Sequence, residues 1–235
     1  MSSIYSDTTV IIPTLNEAKN IGRLLDIILE LYPKISVVVA DDGSSDDTEK
    51  IVNRYQSSNQ RIKFLNRSQE NIHGLTISVI DGVRTTNTKY VVVMDGDLQH
   101  PPEKIGEIIR SLRKEGGLVV GVREKVIVEW LFYRRMMSKA AMLLGKMILF
   151  IRGKPRCKDI LSGFFGIRKE KIIKIVDEKI DKFEPEGYKI LFDLLKNLPK
   201  NEKVEEIPYS FGNRSYGRSK INKRHIWIYF KSLFK

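Results

Sequence analysis

The chain has 235 residues, 41 of them Lys or Arg and 29 Asp or Glu, giving a net charge of +12; 42% are hydrophobic and one is cysteine. That much apolar material excludes a disordered segment, and the single Cys157 excludes both an internal disulfide and a cysteine-based zinc site. The length is enough to bury one large core or two small ones.

The charge is unevenly spread. Residues 123–158 hold ten Lys/Arg against two Glu, and residues 214–235 hold seven Lys/Arg and no acid, which leaves the remainder faintly acidic. Such segments point to an anionic partner: phosphate, nucleic acid or a lipid surface. Met1 to Asp7 shows no basic region followed by an apolar stretch, and the most apolar window, Met136 to Ile151, is broken by Lys139 and Lys146. The expectation is therefore a chain with neither a secretory signal nor a membrane span.

In chain order, Thr8 to Ile12 reads as a β-branched strand, and apolar residues at helical spacing follow through Ile21, Leu24, Leu25, Ile28 and Leu31. Ile35 to Ala40 is a continuous apolar run, as in a strand buried on both faces, followed by Asp41-Asp42-Gly-Ser-Ser-Asp46 and a helix through Ile51 and Tyr55. Lys63 to Leu65 is a short strand, His73 to Arg84 a helix, and Tyr90 to Met94 a strand ending in Asp95-Gly96-Asp97. Pro101-Pro102 starts a helix to about Glu115, and Leu118 to Val122 is a fifth strand. The alternation predicts an α/β fold: an open, mostly parallel sheet with helices on both faces.

Ligands of such sheets gather at the carboxyl ends of the strands, where Glu17, Asp41, Asp42, Asp95 and Asp97 fall. Carboxylates one residue apart at a strand end suit a hard divalent cation, and Mg²⁺ is commonly held by one or two carboxylates plus substrate phosphates. The competing reading is that Asp/Gly/Ser turns follow strands for backbone reasons; it is the preferred one for Asp46, which sits where a helix N-cap would. Walker A, Gly-x-Gly-x-x-Gly and Gly-x-Ser-x-Gly patterns are absent, which leaves a P-loop nucleotidase, a Rossmann dehydrogenase and a serine hydrolase unsupported. Cys157, far in sequence from His73, His100 and His225, reads as a plain thiol.

The ordered series Val10-Ile-Ile-Pro13-Thr-Leu15-Asn-Glu17, Asp41-Asp42-Gly-Ser-Ser, Asp95-Gly-Asp97-Leu-Gln99-His-Pro-Pro-Glu, Gly121-Val-Arg123, Asp159-Ile-Leu-Ser162-Gly163-Phe164 and Arg214-Ser-Tyr-Gly-Arg-Ser-Lys220 resembles inverting family 2 glycosyltransferases of GT-A fold. Within that family it is nearest the branch acting on dolichyl and polyprenyl phosphates. The resemblance covers residues 8 to about 222, leaving residues 223–235 as a basic, aromatic tail. It implies that Pro13, Leu15, Glu17, Asp41, Asp42 and Asp95 line the nucleotide pocket, and that Asp95, Asp97 and Gln99 hold Mg²⁺ or Mn²⁺ on the donor diphosphate. It further implies that Asp97, Arg123, Arg214 and Lys220 serve catalysis, and that Ser162, Arg123 and Arg135 meet the acceptor. Leu15, where many relatives carry an aromatic, and Gly96, where Ala is common, depart from the pattern and bear on base preference.

A phosphate monoester acceptor is already anionic at neutral pH, its second pKa being near 6, and so needs no protein general base. Cations do the work instead. The implied reaction is transfer of a hexose, mannose from GDP-mannose in the first instance, to a polyprenyl or dolichyl phosphate. The alternatives are UDP-glucose as donor, a saccharide hydroxyl as acceptor, or a non-catalytic basic module for lipid or nucleic acid. No nucleic-acid motif is present, and the bulky aliphatics interleaved with the basic residues of 126–152 suit a lipid surface better. That segment is expected to form one or two amphipathic helices at an anionic membrane interface, with the chain peripheral on the cytoplasmic face.

Overall fold

The computed structural model describes residues 2–126, 132–212 and 223–235. Its sheet comprises β1 (Thr8–Thr14), β2 (Ser36–Asp41), β3 (Ile62–Asn66), β4 (Tyr90–Val93), β5 (Leu118–Val126), β6 (Phe165–Arg168) and β7 (Val204–Phe211), in the spatial order 3-2-1-4-6-5-7. The helices are α1 (Ala18–Leu31), α2 (Thr48–Ser58), α3 (Leu75–Arg84), α4 (Ile105–Glu115), α5 (Phe132–Ile151), α6 (Lys169–Lys179), α7 (Ile190–Asn197) and α8 (Lys223–Phe234).

The continuous apolar strands divide their side chains between two cores with the period of two that a strand imposes. Val10 and Ile12 of β1, Val37 and Val39 of β2, and Val92 of β4 enter one core, packed by Ile21, Leu24, Leu25 and Ile28 of α1 and by Ile105, Ile108 and Leu112 of α4. Ile11, Val38, Val91 and Val93 enter the other, with Val79 and Val83 of α3, Ile172 and Val176 of α6, and Leu191 and Leu194 of α7. Each fully buried aliphatic contributes about 1.5–3 kcal/mol, so the two-sided core accounts for the parallel arrangement. Pro13 is tolerated inside β1 because the β4 ladder has run out there: pairing ends at Ile11 with Val93, and the Met94 N–H takes the Ile11 carbonyl at 3.1 Å.

Two features were not part of the sequence reading. β6 lies between β4 and β5 and runs antiparallel to both. With only four residues, β6 is too short to announce itself by periodicity. The basic, aromatic final residues form α8, which lays Ile228, Tyr229, Ser232 and Leu233 into the body, where Tyr229 Oη donates to the Ala141 carbonyl at 2.8 Å and Ser232 Oγ to the Asp193 carboxylate at 2.6 Å. Between Val126 and Ile151 the described part is a single helix, α5, and no helix among the described residues is long and apolar enough to cross a membrane.

Candidate active site

The loops after β1 and β2 are tied to each other at the carboxyl edge of the sheet. Asn16, at φ 52°, accepts the Ser45 N–H on Oδ1 at 2.7 Å while its own N–H reaches Ser44 Oγ at 2.7 Å; Glu17 N–H donates to Thr48 Oγ1 at 2.9 Å. Asp46 accepts the N–H groups of Thr48 and Ala18 at 3.0 and 3.1 Å, so it binds the first residues of both α1 and α2, although the N-cap position of α2 is Asp47 and not Asp46. Asp41 is buried, and its carboxylate accepts from Thr14 Oγ1 at 2.8 Å, the Ser44 N–H at 2.7 Å and the Gly43 N–H at 3.2 Å. These donors turn Asp41 into the brace of the loop.

Asp42 likewise faces a frame. It accepts from the fully buried Arg67, from the Gly74 N–H at 2.7 Å and from His73 Nδ1 at 3.1 Å. Arg67 is satisfied by Asp81, Ser78 and the Ile72 carbonyl, each within 2.9 Å, which makes burial of its charge tolerable. The α3 N-terminus has no side-chain cap; its Thr76 and Ile77 N–H groups take the Gly187 and Pro185 carbonyls. Gly74, at φ 154°, is outside helical geometry, so α3 begins at Leu75 rather than at His73, and here the neighbouring loop comes so close that a Cβ would lie 2.5 Å from Glu186 Cα.

Beyond this frame lies the strand-end acidic pair. Asp97 is buried and its Oδ1 accepts the Gln99 N–H at 3.1 Å; Asp95 keeps its side chain 35% exposed. His100 Nδ1 accepts the Asp95 N–H at 3.1 Å, and its Nε2 stands 3.8 Å from the Asp95 carboxylate. The imidazole is stacked on Phe164 at 5.3 Å and ringed by Tyr209 and Phe211, and this burial brings its pKa down to about 4 against the upward pull of Asp97. Gln99 ties this loop to the end of β7, its Nε2 donating to the Gly212 carbonyl at 3.1 Å.

Cations face Asp95. Arg123 leaves β5 beside a register shift between residues 123 and 125, a device that re-aims side chains, and grips Asp159 with two bonds of 2.6 and 2.9 Å. Burial works against charge in both partners, but the bidentate pair overrides it, holding Arg123 above and Asp159 below their ordinary values. Lys189 donates to the Leu161 carbonyl at 2.9 Å, and burial beside Arg123 brings its ammonium down to about 8 although Asp95 and Asp159 pull upward. The Ser162 hydroxyl, expected to meet an acceptor, is buried; it donates to the Gly121 carbonyl at 2.7 Å and accepts the Phe164 N–H at 3.1 Å. Cys157 is buried with its thiol pushed up to about 12 by that burial, which leaves it inert as a nucleophile.

Among the expected site residues, Pro13, Leu15, Glu17, Asp41, Asp42, Asp95, Asp97, Gln99 and Arg123 thus share one edge, with Leu15 exposed and Glu17, Asp95 and Gln99 partly so. Arg214 and Lys220 lie outside the described residues, as does the Arg135 side chain. Sequence reasoning overlooked His100, Asp159, Lys189 and Arg67; Asp159 and His100 stood inside quoted motifs, whereas nothing in the pattern marked Lys189 or Arg67. The donor set at Asp95 and Asp97 is all oxygen, and the Asp95 carboxylate stays about a third exposed, which suits a hard cation. Among the described residues no three His, Cys, Asp or Glu converge on one ion, so a cation here would take its remaining oxygens from a bound diphosphate or water.

The family model described as glycosyl transferase family 2 matches residues 9–176. The chain belongs to this family. Dolichol-phosphate mannosyltransferase of Pyrococcus furiosus is 35% identical over 235 residues, covering 97% of this chain and 62% of that protein, so the chain spans less than two thirds of that relative. The Saccharomyces cerevisiae protein of the same name is 29% identical over 246 residues, covering 99% of this chain and 86% of the relative. Among solved structures, glucosyl-3-phosphoglycerate synthase of Mycobacterium tuberculosis, in complex with Mn²⁺, uridine diphosphate and phosphoglyceric acid, superposes with a TM-score of 0.69 at 19% identity over 98% of this chain and 81% of the other. The fold of this family 2 chain is accordingly GT-A, as its sequence led one to expect.

Proposed function

We propose that the chain is a metal-assisted, inverting glycosyltransferase that moves mannose from GDP-mannose to the phosphate of a dolichyl or polyprenyl carrier. The observation that carries this reading is a partly exposed strand-end carboxylate, Asp95, within electrostatic reach of the buried cations Arg123 and Lys189. The names of the Pyrococcus and yeast relatives support the same acceptor.

In this reading the loops after β1 and β2 hold the nucleoside, with Leu15 and Glu17 at its rim and Asp41 and Asp42 keeping the walls in shape. Asp95 and Asp97, with Gln99 beside them, would hold Mg²⁺ or Mn²⁺. Bound there, the ion neutralises charge on the departing diphosphate. Arg123 and Lys189 draw the acceptor phosphate toward the anomeric carbon and offset repulsion between two anions, while Arg214, Lys220 and Arg135 add further positive charge. Asp159, committed to Arg123 by two bonds, is not available as a base, and an anionic phosphate acceptor asks for none.

A peripheral position at the membrane belongs to the same proposal. Leu143, Met147, Phe150 and Ile151 form an exposed stripe on α5, and Trp227, Phe230 and Phe234 form another on α8. Calorimetric titration of GDP and UDP, each with Mn²⁺ and with chelator, tests the donor side. The proposal expects metal-dependent binding of GDP that Asp95→Asn removes; tighter binding of UDP would shift the donor to a uridine sugar, and no nucleotide binding would remove the reading.

A further inference from the structure

A second charged feature lies away from the carboxyl edge. The end of α5 opens onto a cleft of about 770 Å³ whose wall carries Lys146, Lys154, Arg156, Lys158 and Lys200 against a single carboxylate, Glu206. Lys200 stands between α7 and β7, three residues before Lys203, whose carbonyl receives the Leu118 N–H at the very start of β5. Glu206 pairs with Val120 in the first half of both strands. The cleft therefore belongs to the amino-terminal half of the sheet, whereas Asp95, Arg123 and Lys189 meet at the other edge.

The charges in this cleft are poorly balanced. Glu206 is already engaged by Lys158, through its N–H at 2.6 Å and its Nζ at 3.5 Å. Lys154 donates to the Leu198 carbonyl at 2.9 Å, a contact that fixes its ammonium at the cleft without neutralising it. Arg156 lies over the Phe150 ring at 5.1 Å, and among the described residues neither it nor Lys146 nor Lys200 has a carboxylate partner. Burial, then the neighbouring Lys179, Lys200 and Arg152, bring the Lys154 pKa down, which reports the same crowding of like charge. An anion with several acceptor oxygens would relieve it. Phe150 also continues the exposed apolar stripe of Leu143, Met147 and Ile151, so cationic and apolar surfaces adjoin.

We propose that this cleft is an anion site distinct from the active site, taking a phosphate group as monoester, diester or diphosphate. The apolar stripe at its mouth fits a phospholipid headgroup; inorganic phosphate or pyrophosphate carries the same chemistry without a chain. The inference does not depend on the transferase reading.

The test uses the 235-residue chain, the variant Lys146→Glu/Arg156→Glu/Lys200→Glu, the milder Arg156→Gln/Lys200→Gln at two exposed positions, and a charge-matched control, Lys50→Glu/Arg54→Glu/Lys63→Glu, at exposed positions on α2 and β3. Flotation with phosphatidylcholine vesicles, with and without phosphatidic acid, and calorimetry with phosphate and pyrophosphate are run in parallel on samples of equal thermal stability. Loss of binding to the acidic vesicles by about tenfold or more in the triple variant, a smaller loss in the Gln pair and little loss in the control would establish a lipid headgroup site. Phosphate or pyrophosphate binding lost in the same variants, with vesicle binding no weaker than in the control, would establish the site for soluble phosphates. Equal behaviour of the cleft variants and the charge-matched control in both assays would overturn the proposal.

Discussion

A Cβ on Gly163 would stand 2.8 Å from both carboxylate oxygens of Asp95. The turn between Asp159 and β6 thus comes within contact of the acidic strand end, and the missing side chain leaves room for the carboxylate. Gly163 lies against the Asp95 carboxylate, His100 Nδ1 accepts the Asp95 N–H, and the positive charges of Arg123 and Lys189 act on it from across the site.

Gly163→Ala should therefore displace the Asp95 carboxylate. We expect transfer to fall by about two orders of magnitude, the scale of losing one charge-stabilising group, with a thermal midpoint close to that of the parent. Steady-state kinetics and thermal unfolding read the two effects separately. Undiminished transfer would show that Asp95 is not held where the reaction needs it.

The Arg123–Asp159 pair permits a sharper separation of folding from function. Arg123→Met leaves Asp159 buried without its partner and should lower stability by about 3–5 kcal/mol in urea unfolding. Arg123→Met/Asp159→Leu should recover most of that loss and still fail to transfer. Because Asp159 is held below its ordinary value of 3.8, its contribution is complete above that value and is lost as pH falls through the folded-state value. The double variant should lack that acid-side slope.

Lys189 sets a prediction on the alkaline side. With its pKa brought to about 8, the free enzyme loses this cation as pH rises through that value, so kcat/KM for the acceptor should decline above it. Lys189→Arg should hold its activity to higher pH, and Lys189→Met should be weak throughout. Stability moves the other way: from about 8 to the ordinary 10.5 the folded chain binds fewer protons than the unfolded one, so this group's effect favours folding more as pH rises. A parent profile that is flat through pH 9 would remove Lys189 from the reaction.

The seat of α8 rests on Gly145, where a Cβ would come 2.5 Å from Tyr229 Oη and 2.6 Å from Ile160 Cδ1. Gly145→Ala should cost about 1–3 kcal/mol through overpacking and expose residues near Tyr229 to limited proteolysis. Ser232→Ala should add to the effect, since Ser232 links Asp193 and the buried Lys196. Unchanged proteolysis in both variants would show that α8 is held by other contacts.

The sheet was legible in the sequence because strands covered on both faces need continuous apolar centres, and residues 10–12, 37–40, 90–93 and 118–120 supply them. The acidic edge was legible because strand ends stand out where such runs stop. The β6 insertion was not, since four residues between a glycine turn and a helix carry no period. The roles within the edge were less legible still: Asp41 and Ser162 bond to Ser44 N–H and the Gly121 carbonyl, contacts that no pattern in the sequence marks. Lys189 carried no signal because its place beside Arg123 depends on contacts between segments far apart in the sequence, such as its bond to the Leu161 carbonyl.

The most direct test of the central claim is mass-spectrometric detection of transfer to a short polyprenyl phosphate, offering GDP-mannose, UDP-glucose and UDP-N-acetylglucosamine in turn, with Mg²⁺ or Mn²⁺ and with chelator. The account predicts one mannosyl-phosphate product, formed from GDP-mannose, dependent on the metal and absent in Asp97→Ala. No glycosyl-phosphate product from any donor, with the chain folded and metal present, would contradict it.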